Sequence, residues 1–261
     1  MNHRWSIVTT VVFTAATLAL HASPPLEPLH ARCTISEAEH RGKLRLEVGK
    51  GDCDGRHCGS NFDEDSLNRL TGVTVAELSN EGARLTATLH AEAGTFACSG
   101  SVHERELRGD SSFTPDAAFV ARMNEMGFSD LDSEKLEAYA FVNVETAWVR
   151  SLKQAGVLGM TTDNLIALRI FNVEESYIHA ITALGYPMPS ADMLIALRVQ
   201  GVDPAEVGEI RALGFQPTLD ELIQIRIFHI TPEFIRRMRA RDLKDLTIAK
   251  LVQIRIFKIA E

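Results

Sequence analysis

Four nine-residue segments of one pattern recur in the C-terminal half: LIALRIFNV (Leu165–Val173), LIALRVQGV (Leu194–Val202), LIQIRIFHI (Leu222–Ile230) and LVQIRIFKI (Leu251–Ile259). Their central arginines, Arg169, Arg198, Arg226 and Arg255, stand 29, 28 and 29 residues apart. A period of this length is the signature of stacked supersecondary units, each too small to bury its own apolar face. Arrays of that kind present an extended surface, and the pattern points to a binding or scaffold role rather than a catalytic one.

Punctuation residues divide each unit into two short helices. Thr114-Pro115, Asp203-Pro204 and Thr231-Pro232 pair a capping side chain with a proline at the first helical position, where no N–H donor is needed. Gly127, Gly156, Gly185 and Gly214 recur where a left-handed residue ends a helix, with Asp242 taking that place in the last unit. Second helices are expected to start at Ser133, Thr162, Ser190, Thr218 and Thr247, and Thr218 with Glu221 has capping-box spacing. Five helical hairpins follow, at 114–144, 145–173, 174–202, 203–230 and 231–259. On a helical wheel the second helices are apolar nearly all round and are expected to form an inner layer. The first helices carry charges between fewer apolar anchors and are expected to face solvent.

The arginine of each motif falls inside the apolar arc of its helix, where a guanidinium needs partners. Two roles fit. Each arginine can bond helix-end carbonyls or an acid of the adjoining hairpin, such as Asp203, and so join neighbouring units. Alternatively, the row can line a groove for a carboxylate-bearing or phosphorylated ligand. Ala140 replaces arginine in the first hairpin.

Before residue 113 the period is that of strands. Leu44, Leu46 and Val48 alternate with charged residues, Leu85, Ala87 and Leu89 repeat the pattern, and Gly94–Cys98 and Ser111–Phe113 are further strands. Short helical turns are expected at 65–70 and 75–78. The start of the chain reads as a secretory signal over residues 1–22, with a basic start (His3, Arg4), an apolar run from Ser6 to Leu20, and Ala22 before the cut. An uncleaved anchor is the alternative. A proline-rich tether at 23–32, a β domain at 33–112 and a helical domain at 113–261 complete the division. The fold class is therefore α+β: a small disulfide-linked antiparallel β domain, then an all-α solenoid of about five hairpins with a 29-residue repeat.

All four cysteines, Cys33, Cys53, Cys58 and Cys98, lie in the β domain. In an exported chain an even count implies disulfides, and the expected pairs are Cys53 with Cys58 and Cys33 with Cys98. A zinc site using these cysteines and His57 is the competing arrangement. His103-Glu104 opens a zinc-peptidase helix motif but lacks its second histidine, and no nucleophile elbow, phosphate loop or dinucleotide fingerprint is present. No enzymatic activity, cofactor or metal is expected.

The net charge of −8 excludes a general nucleic-acid binder. Charge is uneven, with 16 acidic against 8 basic residues over 113–229 but 4 against 8 over 230–261. Arg236, Arg237, Arg239 and Arg241 cluster there and are either a solvated helix face or a contact for an acidic partner. The last hairpin is also a candidate surface for self-association.

The segment AGTFACSGSVHERELRGDSSFTPD (Ala93–Asp116), followed by the LIALRIFNV motifs, resembles the soluble extracytoplasmic part of bacterial membrane metallopeptidases of the beta-lactam-sensor and antirepressor type, and related secreted proteins. The membrane helices and peptidase motif of that family have no counterpart in this sequence. The resemblance implies a periplasmic or extracellular sensing or interaction module with a protein partner, and not proteolysis.

Overall fold

A computed structural model describes residues 26–40, 42–49, 59–62 (backbone alone), 67–241, 243 and 245–258. The signal segment, Cys53, Cys58, His57 and Asp242 lie outside the described residues.

Among the described residues seven strands form one antiparallel sheet in the order β3-β2-β1-β7-β6-β5-β4. They are β1 (Leu29–Glu37), β2 (Leu44–Gly49), β3 (Gly59–Phe62), β4 (Leu70–Thr71), β5 (Arg84–Ala91), β6 (Gly94–His103) and β7 (Glu106–Pro115). A 3-10 turn at Glu77–Ser79 and a turn at 67–69 stand where short helical turns were expected. The sequence reading placed a tether to residue 32, yet β1 begins at Leu29 and pairs with β7 from the start (Leu29 opposite Phe113). Alternation of Leu29, Ala31, Cys33 and Ile35 with polar residues drives this strand, and Pro28 precedes it, where its missing N–H costs no ladder bond.

The sheet curls upon itself. Cys33 on β1, opposite Gly109, and Cys98 on β6, opposite Ser111, lie on either side of β7, and two strand spacings with a two-residue offset would set them about 12 Å apart in a flat sheet. Their Cα atoms are 6.1 Å apart, and they are bridged by a disulfide. Gly100 and Gly109 sit opposite each other across β6 and β7 at this bend. A Cβ on Gly100 would meet the Arg108 carbonyl and one on Gly109 the Ser99 carbonyl, so the close approach needs glycine at both. The disulfide takes two of the four thiols from the alternative zinc set.

Ten helices follow among the described residues: α1 (Ala117–Glu125), α2 (Ser133–Val142), α3 (Thr146–Gln154), α4 (Thr162–Ile170), α5 (Glu175–Ala183), α6 (Ala191–Val199), α7 (Pro204–Ala212), α8 (Leu219–Ile227), α9 (Pro232–Ala240) and α10 (Ile248–Ile256). Asp203 and Thr231 cap α7 and α9 with proline at the first helical positions, and Thr218 with Glu221 forms the reciprocal box of α8. Thr161 with Asn164 forms a second such box at α4. Thr114-Pro115 instead ends β7, and Asp116 caps α1 by accepting from the Phe119 N–H.

Packing skips one helix at a time. The even helices approach in succession, α2 to α4, α6, α8 and α10, while α1 packs on α3, α5 on α7 and α7 on α9. The expected inner and outer layers are not what forms. Odd helices bury Trp148, Val149 and Leu152, Tyr177, Ile178 and Ile181, or Phe234, Ile235 and Met238, whereas α4, α6, α8 and α10 each keep an apolar residue in solvent. Each row has neighbours on two sides and across, so both rows bury one face and expose one.

The sheet and the helices interlock. Phe96 of β6 meets Phe141 of α2 edge-on at 5.0 Å. Arg69 donates to the Ala140 and Phe141 carbonyls at the end of α2, at 2.6 and 3.0 Å. Burial lowers the pKa of this guanidinium below its ordinary value. The Glu92 carboxylate accepts from the backbone N–H and hydroxyl of Thr146, capping α3, whose own N-cap Glu145 makes no side-chain cap.

Replacing Cys33 and Cys98 together by alanine is expected to cost about 4 kcal/mol for a loop of this length. Urea denaturation checks this, and a loss below about 1 kcal/mol would mean that the glycine pair alone holds the curl.

Candidate interaction surface

Each letter of the LIALRIFNV motif has a place. Leu165 and Leu168 are buried, as are Leu194 and Leu197, Leu222 and Ile225, and Leu251 and Ile254. The residue before the last is left-handed (Asn172, Gly201 and His229), and the terminal Val173, Val202 or Ile230 returns an N–H to the carbonyl of Leu168, Leu197 or Ile225. This is a Schellman ending, with the buried apolar residue that accompanies it.

The motif arginines then fasten one even helix to the previous one. Arg169 Nε donates to the Asn143 carbonyl at 3.0 Å, Arg198 Nε to Phe171 at 2.7 Å, Arg226 Nε to Gln200 at 3.2 Å, and an Arg255 terminal nitrogen to His229 at 3.0 Å. These acceptors lie at helix C-termini, where carbonyls lack intrahelical partners and the dipole favours a cation. Three of the guanidinium groups also lie over an odd-helix aromatic, Arg169 over Trp148 at 5.2 Å, Arg198 over Tyr177 at 4.8 Å and Arg255 over Phe234 at 3.9 Å. The corresponding residue for Arg226 is Glu206, which pairs with it at 2.5 Å. Arg169 is paired with Glu174 as well, at 2.7 Å. Asp203, the acid expected beside the row, instead caps α7 through the Ala205 N–H.

A second ladder, not recognised in the sequence reading, joins the odd helices. Lys153, Arg211 and Arg239 donate to the Met126, Leu184 and Leu213 carbonyls and lie over Phe128, Tyr186 and Phe215. In this register α5 has Thr182 in place of the cation and Val157 in place of the aromatic. Cation and ring are lost together at the step from α3 to α5. The common spacing of these positions was the available signal.

Arg239 is thus drawn from the predicted basic cluster into the ladder. Arg236 faces Glu209 at 3.5 Å, Arg237 lies near Glu233 at 3.9 Å, and Arg241 is exposed. His103 is the last residue of β6, a strand and not a peptidase helix, and lies beside Glu81 at 3.0 Å. Among the described residues no group of three or more His, Cys, Asp or Glu side chains could hold a metal ion.

With the cations turned inward, the outward strip of the even helices is apolar. Ile170, Val199, Ile227 and Ile256 are 55%, 48%, 49% and 52% exposed at equivalent positions. One turn earlier Ile166, Ile195, Ile223 and Val252 are half-buried beside them. Single exposed aliphatics are ordinary; here the exposed residues recur at one position on four successive even helices. Asp163, Asp192 and Asp220 lie three residues before Ile166, Ile195 and Ile223, and border the row on one side.

Comparison with protein-family models, with characterised proteins and with solved structures found no match.

Arg169→Ala is expected to destabilise the protein by about 1–2 kcal/mol, because it removes a charge-assisted bond to a part-buried carbonyl and the stacking on Trp148, while Glu174 is half exposed and can turn to water. Arg169→Lys should recover little of this in urea unfolding, since lysine lacks the planar fork that bonds and stacks at once. The tyrosines make a separate pH prediction. Tyr177 donates to the Val202 carbonyl at 3.1 Å, and burial pushes its pKa up to about 12 from an ordinary value near 10. The folded state holds this proton more tightly, so the contribution is complete below pH 10 and is lost as pH rises toward 12. Tyr177→Phe should flatten part of the alkaline limb of a stability–pH curve.

Proposed function

We propose that this chain is an exported, non-enzymatic interaction protein of the bacterial cell envelope, a disulfide-linked β domain carrying an α-solenoid of helical hairpins that docks a protein partner. The observation that carries this reading is the contiguous aliphatic row on α4, α6, α8 and α10, left in solvent while every motif arginine is bonded inside the array. Export is supported by the signal pattern of the first 22 residues and by the Cys33–Cys98 disulfide, which belongs to oxidising compartments. Among the described residues no helix is long and apolar enough to cross a membrane. The resemblance of Ala93–Asp116 and the helical motifs to the extracytoplasmic part of beta-lactam-sensor-type peptidases supports the same envelope role.

A second reading, a sensor for a small anionic or cell-wall-derived ligand, rests on a different place. A hollow of about 340 Å³ on the sheet is lined by Arg84, Thr86, Ser99 and Ser101. The arginine ladder gives this reading little support, because each of its guanidinium groups already bonds a carbonyl of a neighbouring helix end.

A photo-crosslinking residue at Val199, on the apolar row, is expected to yield an adduct in cells, whereas one at Arg150, exposed on α3, is not. Adducts at neither position, with a melting temperature raised by cell-wall fragments, would transfer the assignment to the sheet hollow.

A further inference from the structure

We infer that the partner's docking element is an amphipathic helix with an apolar stripe bordered by lysine or arginine, lying across α4, α6, α8 and α10. This rests on the interaction reading above and adds the chemistry of the partner.

The first observation is continuity with an interface already in the fold. In the 29-residue register Phe141 of α2 is the equivalent of Ile170, and Phe141 is 1% exposed because the sheet covers it through Phe96. On α2 this face takes an apolar partner from within the chain. The next four even helices present the same face with nothing of the described chain over it, and its residues stay aliphatic (Ile170, Val199, Ile227, Ile256).

The second observation is charge. Asp163, Asp192 and Asp220 are exposed along the N-terminal border of the row. Asp163 pairs with Lys135 at 3.0 Å yet stays 81% exposed at its side chain, and Asp192 touches the Asn164 amide at 3.4 Å. Acids in a first helical turn suit the helix dipole by themselves. Here they also line one side of an apolar strip, so an occupant with basic residues on that side gains and an acidic one is repelled.

Spacing selects the form of the occupant. Row residues come from successive packed helices, about 8–10 Å apart. A helix lying across them offers a side chain on one face every seventh residue, about 10.5 Å. A strand repeats on one face every ~6.7 Å and falls out of step by the second rung. Four rungs are three intervals, so a helix of about 22 residues, ~32 Å long, reaches all of them.

The test uses the full exported chain and two designed helical peptides with leucine at heptad positions, flanked by lysine in one and by glutamate in the other. Fluorescence anisotropy is expected to show the lysine peptide binding at least about tenfold tighter, with the difference shrinking as salt is raised. Val199→Lys/Ile227→Lys should abolish binding, and Asp163→Asn/Asp192→Asn/Asp220→Asn should erase the preference while leaving the row apolar; circular dichroism verifies that each variant is folded. Equal binding of the two peptides, no binding of either, or binding unaffected by the row variant overturns the inference. So does a concentration-dependent dimer that the row variant dissolves, since the occupant is then a second copy. The interaction reading is judged separately by the Val199 adduct, and an adduct whose crosslinked segment is acidic or extended would refute the helix while sparing that reading.

Discussion

The helical part of this protein depends on a charged hydrogen bond made to the C-terminal end of a neighbouring helix. A helix of nine residues leaves its last carbonyls without intrahelical partners, and short helices are marginal in water. Here the arginine of one even helix donates to the C-terminal carbonyl of the even helix before it, and its guanidinium plane rests on an odd-helix ring. One side chain thereby satisfies an orphan acceptor, sets the spacing within a row and ties the two rows together. Arginine suits this because its planar fork bonds and stacks simultaneously. The odd row repeats the device with Lys153, Arg211 and Arg239, and the step from α3 to α5 has neither the cation nor the ring to make it.

The β domain terminates this array in a different way. The first hairpin has no motif arginine, and Arg69, held in the turn before β4, supplies guanidinium donors to the α2 carbonyls. Glu92, at the tip between β5 and β6, supplies the N-terminal cap that α3 lacks. Both groups are presented by a sheet whose curvature comes from the Gly100–Gly109 pair and the disulfide across β7. The sheet therefore offers an apolar face to α2 and the polar groups that finish the ends of the first helices.

The apolar row on the even helices is a consequence of the same geometry. Once Leu165 and Leu168 face the interior and Arg169 reaches back to the previous helix, the residue after the arginine must point outward. On α2 the sheet covers it; on α4, α6, α8 and α10 it is an isoleucine or valine half in solvent. That residue type, rather than a charge, at four successive solvent positions is the observation on which the proposed docking role rests.

The caps of α7, α8 and α9, the left-handed glycines that end α1, α3, α5 and α7, and the strands with alternating residues were legible in the sequence, because caps, glycines and period are local matters, whereas Thr114-Pro115 reads as a cap and instead ends β7. The Cys33–Cys98 pair was legible from cysteine count and strand position. The strand at Leu29 was obscured by prolines, and the layering was misjudged, because a helical wheel counts apolar residues without knowing how many neighbours will cover them. The sequence could place each arginine within an apolar arc, but which carbonyl or ring it meets depends on residues about 26 positions away brought alongside by packing. Local chemistry determined the pieces; the tertiary structure alone decided that the cations turn inward and the aliphatics outward, because each cation has acceptors only where the next helix arrives.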